Sequence, residues 1–79
     1  MTDAVAVAVD EETSKLLLRV SKNIKAQRLA RGLKQTDMGQ YGFGYRWYQR
    51  LESGRHVPTL PTLIKLAKAL EIDISELFR

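Results

Sequence analysis

The sequence predicts one small all-α domain built from five helices. Apolar residues recur every three or four positions in several stretches, which is the helical period. Capping residues and glycines bound these stretches, and no pair of alternating apolar runs predicts a β-hairpin. The chain has 79 residues and no cysteine, so a single apolar core must hold it without disulfides.

The chain divides into a mobile N-terminal tail, residues 1–12, and a domain, residues 13–79. Residues 1–9 include an alternation of alanine and valine, but the sequence offers no second strand to pair with it. We therefore expect a mobile tail. The alternative is an arm that becomes ordered on a partner subunit.

A glycine stop separates the first two predicted helices. Asp10 is suited to cap the first helix, along which apolar positions recur at helical spacing. Gly32 followed by Leu33 is typical of a Schellman C-terminus. A second, short helix is predicted at about residues 35–40, and the glycines that follow it indicate a tight connection.

Three further helices complete the predicted domain. The third covers about residues 45–53, and Gly54 ends it. Thr59 caps the fourth helix. We expect the inward stripe of the fourth helix to consist of Leu60, Leu63, Ile64, Ala67 and Leu70. Asp73 followed by Glu76 is a capping-box-like start for a short fifth helix.

Positive charge is concentrated in the middle of the chain. The whole chain has a net charge of +4, from 13 Lys and Arg against 9 Asp and Glu. Residues 1–14 are net −4, residues 15–56 are net +8, and residues 57–79 are neutral. So basic a segment is suited to a polyanion, although a solvated surface can have the same composition.

The stretch LKQTDMGQYGFGYRWYQRLESG, residues 33–54, combines a short helix, a glycine-bearing turn and a second helix with a polar face. A helix-turn-helix has this arrangement: its first helix crosses the phosphate backbone and its second lies in the major groove. At about 100° per residue, Tyr48 and Leu51 point inward. The opposite face carries Tyr45, Arg46, Gln49 and Arg50. Arginine can read guanine and glutamine adenine; the alternative is an ordinary surface helix with a basic face.

These motifs, in this order, resemble the XRE, or Cro/CI-like, helix-turn-helix family of phage repressors and small bacterial regulators. The resemblance covers about residues 16–79. The residues that carry it are Ile24, Arg28, Gly32, Leu33, Gln35, Tyr48, Leu51, Glu52, Ser53, Gly54, Pro58, Thr59, Leu60, Leu63, Ile64, Lys65, Leu66, Ala67, Lys68, Ala69, Leu70, Ser75, Glu76, Leu77 and Phe78. The resemblance implies a five-helix, lambda-repressor-like fold and a sequence-specific DNA-binding transcription regulator whose third helix reads the major groove.

The resemblance also implies roles for individual residues. The implied base-reading residues are Tyr45, Arg46, Gln49 and Arg50. The implied phosphate-binding residues are Lys34, Gln35, Ser53, Arg55 and His56. Arg28 and Glu52 match a pair that ties the first helix to the end of the third; a DNA contact or a surface charge is the alternative for Arg28. Three roles are possible for Trp47: it lies at the edge of the core, it contacts a phosphate, or it contacts a thymine methyl group. A homodimer is implied, and Leu77 and Phe78 are the candidates for its interface.

The sequence departs from the family pattern in several places. From Gln35 to Gly42 it is one residue shorter than usual, so the end of the second helix or the turn must tighten. Gly39 replaces the usual alanine, at a cost of about 1 kcal/mol in helix propensity. Gly44 precedes the third helix without offering a side-chain acceptor. Glu71 replaces a common glycine, so we expect no need for a left-handed residue there.

We expect a regulator that occupies a double-stranded DNA operator. The alternative is an antitoxin-like or adaptor module whose main ligand is a protein, with DNA binding secondary. We expect no enzyme, metal or cofactor, because the lone histidine lies in a basic loop and no phosphate-binding glycine loop occurs. No small-molecule effector site is evident. No apolar run is long enough for a membrane helix and no secretory signal is present, so we expect a cytoplasmic protein.

Overall fold

The computed structural model describes residues 10–79, so most of the predicted tail lies outside the described residues. The described chain contains α1 (Glu11–Ala30), a first 3₁₀ helix (Gln35–Tyr41), α2 (Tyr45–Glu52), α3 (Leu60–Leu70) and a second 3₁₀ helix (Ile74–Phe78). Residues 10–79 contain no strand, which confirms the all-α class. The five predicted helices are present as three α-helices and two 3₁₀ helices. None of these helices is long and apolar enough to cross a membrane.

The ends of α1 follow the predicted capping pattern. The Asp10 carboxylate accepts a hydrogen bond from the Thr13 N–H at 2.7 Å, and the first turn includes two acidic residues of the predicted tail, Glu11 and Glu12. At the other end, Gly32 adopts a φ of +71°. The Leu33 N–H then reaches the carbonyl of the residue five positions earlier, at 3.1 Å. This is the Schellman bond, and it turns the chain toward the first 3₁₀ helix.

The connection between α1 and α2 is tightened, as the shortened sequence requires. The Gln35–Tyr41 stretch is wound as a 3₁₀ helix, which has fewer residues per turn than an α-helix. The Asp37 carboxylate accepts from the Lys34 N–H at 2.7 Å and so fixes the start of this helix. Gly42 follows with a φ of +90°, a conformation that glycine adopts without a Cβ penalty. The turn before α2 is therefore compact.

Two expectations about α3 are wrong. Leu60 is 61% exposed and Ile64 is 42% exposed, whereas Leu66, which the predicted stripe omitted, is fully buried. The helix is apolar around much of its circumference, so spacing alone leaves the orientation of its buried face open.

The junction after α3 does use a left-handed residue, since Glu71 has a φ of 57°. Its neighbour Ile72 donates to the Ala67 carbonyl at 3.0 Å, the bond that requires this backbone turn.

One core receives side chains from every element. Its members are Val20, Ile24, Met38, Phe43, Tyr48, Leu51, Leu63, Leu66, Ala67, Leu70 and Leu77. The second 3₁₀ helix is tied to α1 as well, because the Asn23 amide donates to the carbonyls of Leu77 and Arg79, both at 3.0 Å. The core therefore holds α2 through two residues of that helix, Tyr48 and Leu51, and leaves most of its other residues at the surface.

Candidate nucleic-acid interface

The inward face of α2 determines which side chains point outward. Tyr48 and Leu51 have no exposed surface, so this eight-residue helix is held by its apolar side. At its end, Gly54 has a φ of +77°, and a Cβ there would lie 3.1 Å from the Leu18 Cδ2 atom. The chain that follows α2 can therefore pass close to α1. This close approach fixes the C-terminal end of α2 against α1.

All four predicted base-reading residues are exposed on α2. Tyr45 is 49% exposed, and Arg46, Gln49 and Arg50 are exposed as well. They lie within two turns of the same helix, and none is covered by another part of residues 10–79. The arrangement is the one expected of a surface that enters a groove of DNA, while the individual base contacts stay predictions.

Arg28 and Glu52 form the ion pair that the sequence implies. The Arg28 Nε donates to Glu52 Oε2 at 2.6 Å, and Nη2 donates to Oε1 at 3.0 Å. A third donor, Nη1, reaches the Leu33 carbonyl at 2.6 Å. The two side chains are only 6% and 3% exposed. The pair thus joins α1, the turn after it and the last residue of α2.

Arg28 and Glu52 each favour the charged form of the other. Burial by itself would raise the pKa of Glu52, but hydrogen bonds, led by those from Arg28, outweigh it and leave that pKa below its ordinary value. The hydrogen bonds that Arg28 donates to Glu52 likewise raise the pKa of Arg28. Beside them, burial raises the pKa of the Tyr48 hydroxyl. Glu52 is therefore a carboxylate at neutral pH, and a carboxylate can only accept hydrogen bonds.

A chain of hydrogen bonds runs from this carboxylate to the exposed face of α2. The Gln35 Nε2 atom donates to Glu52 Oε1 at 3.0 Å. The Gln49 Nε2 atom lies 3.5 Å from Gln35 Oε1 and 2.9 Å from the Tyr45 hydroxyl, and it donates to both. Sequence reasoning assigned Gln35 to phosphate binding alone. The structure instead places its side chain between the buried ion pair and a predicted base-reading residue.

The other predicted phosphate-binding residues flank α2 but differ in accessibility. Lys34 and Arg55 are exposed, and so is Ser53, whose hydroxyl donates to a carbonyl of α2 at 2.9 Å. His56 is half-buried, and its Nε2 atom accepts from the Trp47 indole N–H at 3.2 Å. Within residues 10–79, His56 is thus engaged by an aromatic neighbour.

Trp47 lies at the edge of the core, the first of its three predicted alternatives. Its ring stacks on Phe43, with centroids 5.7 Å apart and planes inclined by 8°. The Lys65 Nζ atom lies 4.9 Å from the Phe43 centroid, in cation–π range. The sequence does not predict the contact between Phe43 and Lys65, since a phenylalanine between two glycines and a lysine on another helix show no spacing that links them.

An apolar groove, distinct from the α2 face, is formed by α1, the loop before α3, α3 and the C-terminus. It is lined by Thr13, Leu16, Leu17, Val20, Val57, Pro58, Leu63 and Phe78. Of the two predicted dimer residues, Leu77 is fully buried in the core of its own chain, and Phe78 is 38% exposed. Phe78 alone of the two therefore presents apolar surface to another molecule.

Two comparisons show which proteins the chain is similar to. Residues 24–77 match a family model described as helix-turn-helix. The chain is 36% identical over 61 residues to the cryptic phage CTXphi transcriptional repressor RstR of Vibrio cholerae, an alignment that covers 76% of this chain and 54% of that protein. The chain thus spans about half the length of this curated relative. No solved structure matches the chain.

Proposed function

Because this chain belongs to the helix-turn-helix family of the XRE type, we propose that it is a transcription regulator that binds a specific DNA operator through α2. The observation that carries the proposal is the exposed set of Tyr45, Arg46, Gln49 and Arg50 on a helix anchored by its opposite face. The Arg28–Glu52 pair, which ties that helix to α1, supports it.

Charge and side-chain chemistry divide the proposed binding between two kinds of contact. Residues 15–56, which include the first 3₁₀ helix and α2, have a net charge of +8 and would neutralise phosphates. Such contacts supply affinity that falls with salt and depends little on sequence. Base edges would be read by α2, because arginine donates two hydrogen bonds to guanine in the major groove. Occupation of the operator would regulate transcription.

The proposal is tested by selecting binding sites from random duplexes and measuring affinity by fluorescence anisotropy. We expect Arg46→Ala to cost about 1–3 kcal/mol and to relax discrimination at one base position. Arg55→Ala should instead weaken all sequences alike and reduce the salt slope by about one. Arg79→Ala, which removes the same charge far along the chain from α2, is the matched control.

The outcomes of that titration separate the proposed functions. A uniform loss for Arg46→Ala across all duplexes would contradict base reading by α2. Failure of the wild-type protein to bind any duplex at 50 mM salt would favour the alternative, an interaction module whose main ligand is a protein. In either function the domain is proposed to act without catalysis and without a cofactor, in the cytoplasm where its DNA lies.

We further propose that the chain works as a homodimer on two half-sites about one helical turn, ~34–36 Å, apart. The apolar groove with Phe78 at its edge supports a self-associating surface, since exposed apolar patches mark interaction sites. Sedimentation equilibrium should show a dimer for the wild type and a monomer for Phe78→Asp. An unchanged dimer in that variant would place the interface elsewhere.

A further inference from the structure

We propose that Gln35 is a positioning residue that fixes the orientation of the Gln49 amide, so that Gln49 reads bases that carry an amino group, adenine or cytosine. This inference rests on the proposed function of α2. It follows from the direction of three consecutive hydrogen bonds, which begin at a buried charge and end at the DNA-facing surface.

The first hydrogen bond sets the direction of all the others. Arg28 holds the Glu52 carboxylate with two hydrogen bonds, at 2.6 and 3.0 Å, inside the protein. Glu52 Oε1 also lies 3.0 Å from the Gln35 amide. Because an ionised carboxylate has no hydrogen to donate, Gln35 must turn its NH₂ group toward it. Its carbonyl oxygen, Oε1, is then directed away from the ion pair.

The second step transfers this orientation to α2. The atom of Gln49 that faces Gln35 Oε1 must be a donor, and Nε2 is at 3.5 Å. The same nitrogen donates to the Tyr45 hydroxyl at 2.9 Å. A glutamine amide has two hydrogens, so both are used within the protein. The Gln49 carbonyl is left as the group that this exposed side chain offers to DNA.

The consequence is a specific prediction about base preference. In the major groove, adenine presents the N6 amino group and cytosine the N4 amino group, whereas guanine and thymine present acceptors at the corresponding place. A glutamine with an unconstrained amide binds adenine through both its oxygen and its nitrogen. With its nitrogen held by Gln35 and Tyr45, Gln49 offers only its carbonyl oxygen to DNA. Gln49 should therefore bind adenine and cytosine equally well, through their amino groups, and should disfavour guanine and thymine.

Tyr45 gains a defined polarity from the same arrangement. Its oxygen accepts from Gln49, so its own O–H is directed to a different acceptor, such as a phosphate oxygen or a base carbonyl. The exposed face of α2 therefore offers one oriented acceptor, one oriented hydroxyl donor and the two cationic side chains of Arg46 and Arg50.

The experiment uses duplexes that differ from the selected operator at a single base pair. Gln49→Ala first identifies the base pair at which discrimination is lost. All four base pairs at that position are then compared by competition anisotropy for the wild type, for Gln35→Met and for Gln40→Met. Methionine matches glutamine in length but forms no such amide hydrogen bond. Gln40 is an exposed glutamine of the same 3₁₀ helix outside the hydrogen-bond chain, so Gln40→Met is the matched control.

The wild type should bind the adenine and cytosine duplexes within about threefold of each other and about tenfold or more tighter than the guanine and thymine duplexes, as expected for one base-edge contact. Gln35→Met should reduce that tenfold preference to less than about threefold, and Gln40→Met should retain it. The wild-type comparison stands by itself if Gln35→Met does not fold.

Three results would overturn the inference while leaving specific DNA binding intact. The first is a wild type that binds adenine tenfold more tightly than cytosine, which requires an unconstrained amide. The second is a Gln35→Met variant that weakens all four duplexes equally, which is the behaviour of a phosphate contact alone. The third is a Gln49→Ala variant that changes no base preference. By contrast, a wild type that discriminates at no position would refute the proposed function itself.

Discussion

Replacement of Arg28 by methionine would leave the Glu52 carboxylate buried without its partner. The Glu52 side chain is 3% exposed, and the substitution removes both of its hydrogen bonds from the guanidinium as well as the one to the Leu33 carbonyl. Removing one partner of a buried ion pair costs about 3–5 kcal/mol. At 0.05–0.15 kcal/mol per residue, a chain of 79 residues has a total stability of about 4–12 kcal/mol, so the variant should be near the limit of folding.

Urea denaturation followed by the fluorescence of Trp47 measures this loss, since Trp47 is the sole tryptophan of the chain. The double variant Arg28→Met with Glu52→Met removes both charges and should recover stability relative to Arg28→Met alone, because no unpaired carboxylate is then buried. A loss below about 1 kcal/mol for the single variant, or a double variant less stable than the single one, would refute this account of the pair.

Glu71→Gly should stabilise the domain by about 0.5–1 kcal/mol. The steric cost of the left-handed conformation at φ 57° for a residue with a Cβ exceeds the extra backbone entropy that a glycine loses on folding. A lower melting temperature for this variant would contradict the prediction. Gly54→Ala should destabilise it by about 1–3 kcal/mol, because its φ is +77° and a Cβ would crowd α1, whereas Gly39→Ala, where a Cβ meets nothing within 4 Å, should be neutral or stabilising. The pKa of Glu52 is lower in the folded protein than in the unfolded chain. Its ionised form therefore contributes fully to the free energy of unfolding when the pH is above the pKa of the unfolded chain, and this contribution is lost as the pH falls through the pKa of the folded protein. Acid titration below pH 4.5 should therefore destabilise the wild type more steeply than the double variant, and equal slopes would show that Glu52 is not responsible.

The parts of the fold that could be predicted from sequence are those set by local chemistry. Asp10 and Gly32 marked the ends of α1 because a cap and a Schellman turn depend on a few neighbouring residues. The buried face of α3 could not be predicted, because Leu60 and Ile64 are as apolar as the residues that are buried. The left-handed conformation of Glu71 could not be predicted from the residue itself, because it belongs to a turn that is closed by the hydrogen bond from the Ile72 N–H to the Ala67 carbonyl and that places Ile72 against the core.

The candidate site shows the same division. The exposed face of α2 followed from angular spacing alone, which needs no knowledge of the rest of the chain. The position of Gln35 did not, because its 3.0 Å hydrogen bond joins residues 17 positions apart. The aromatic stack of Phe43 and Trp47 likewise depends on a turn whose geometry only the folded chain defines. Orientation within the site is thus a tertiary property, although its composition is local.

The short length of α2 makes that tertiary support necessary for function. A helix of eight residues is far below the ~12–15 that an isolated helix needs to persist in water. Its geometry therefore derives from the burial of Tyr48 and Leu51 and from the pairing of Glu52 with α1. Since base contacts demand positions accurate to about 0.5 Å, small shifts in this support should blur sequence preference before they unfold the domain. Base discrimination should consequently be a more sensitive measure of core integrity here than helical content.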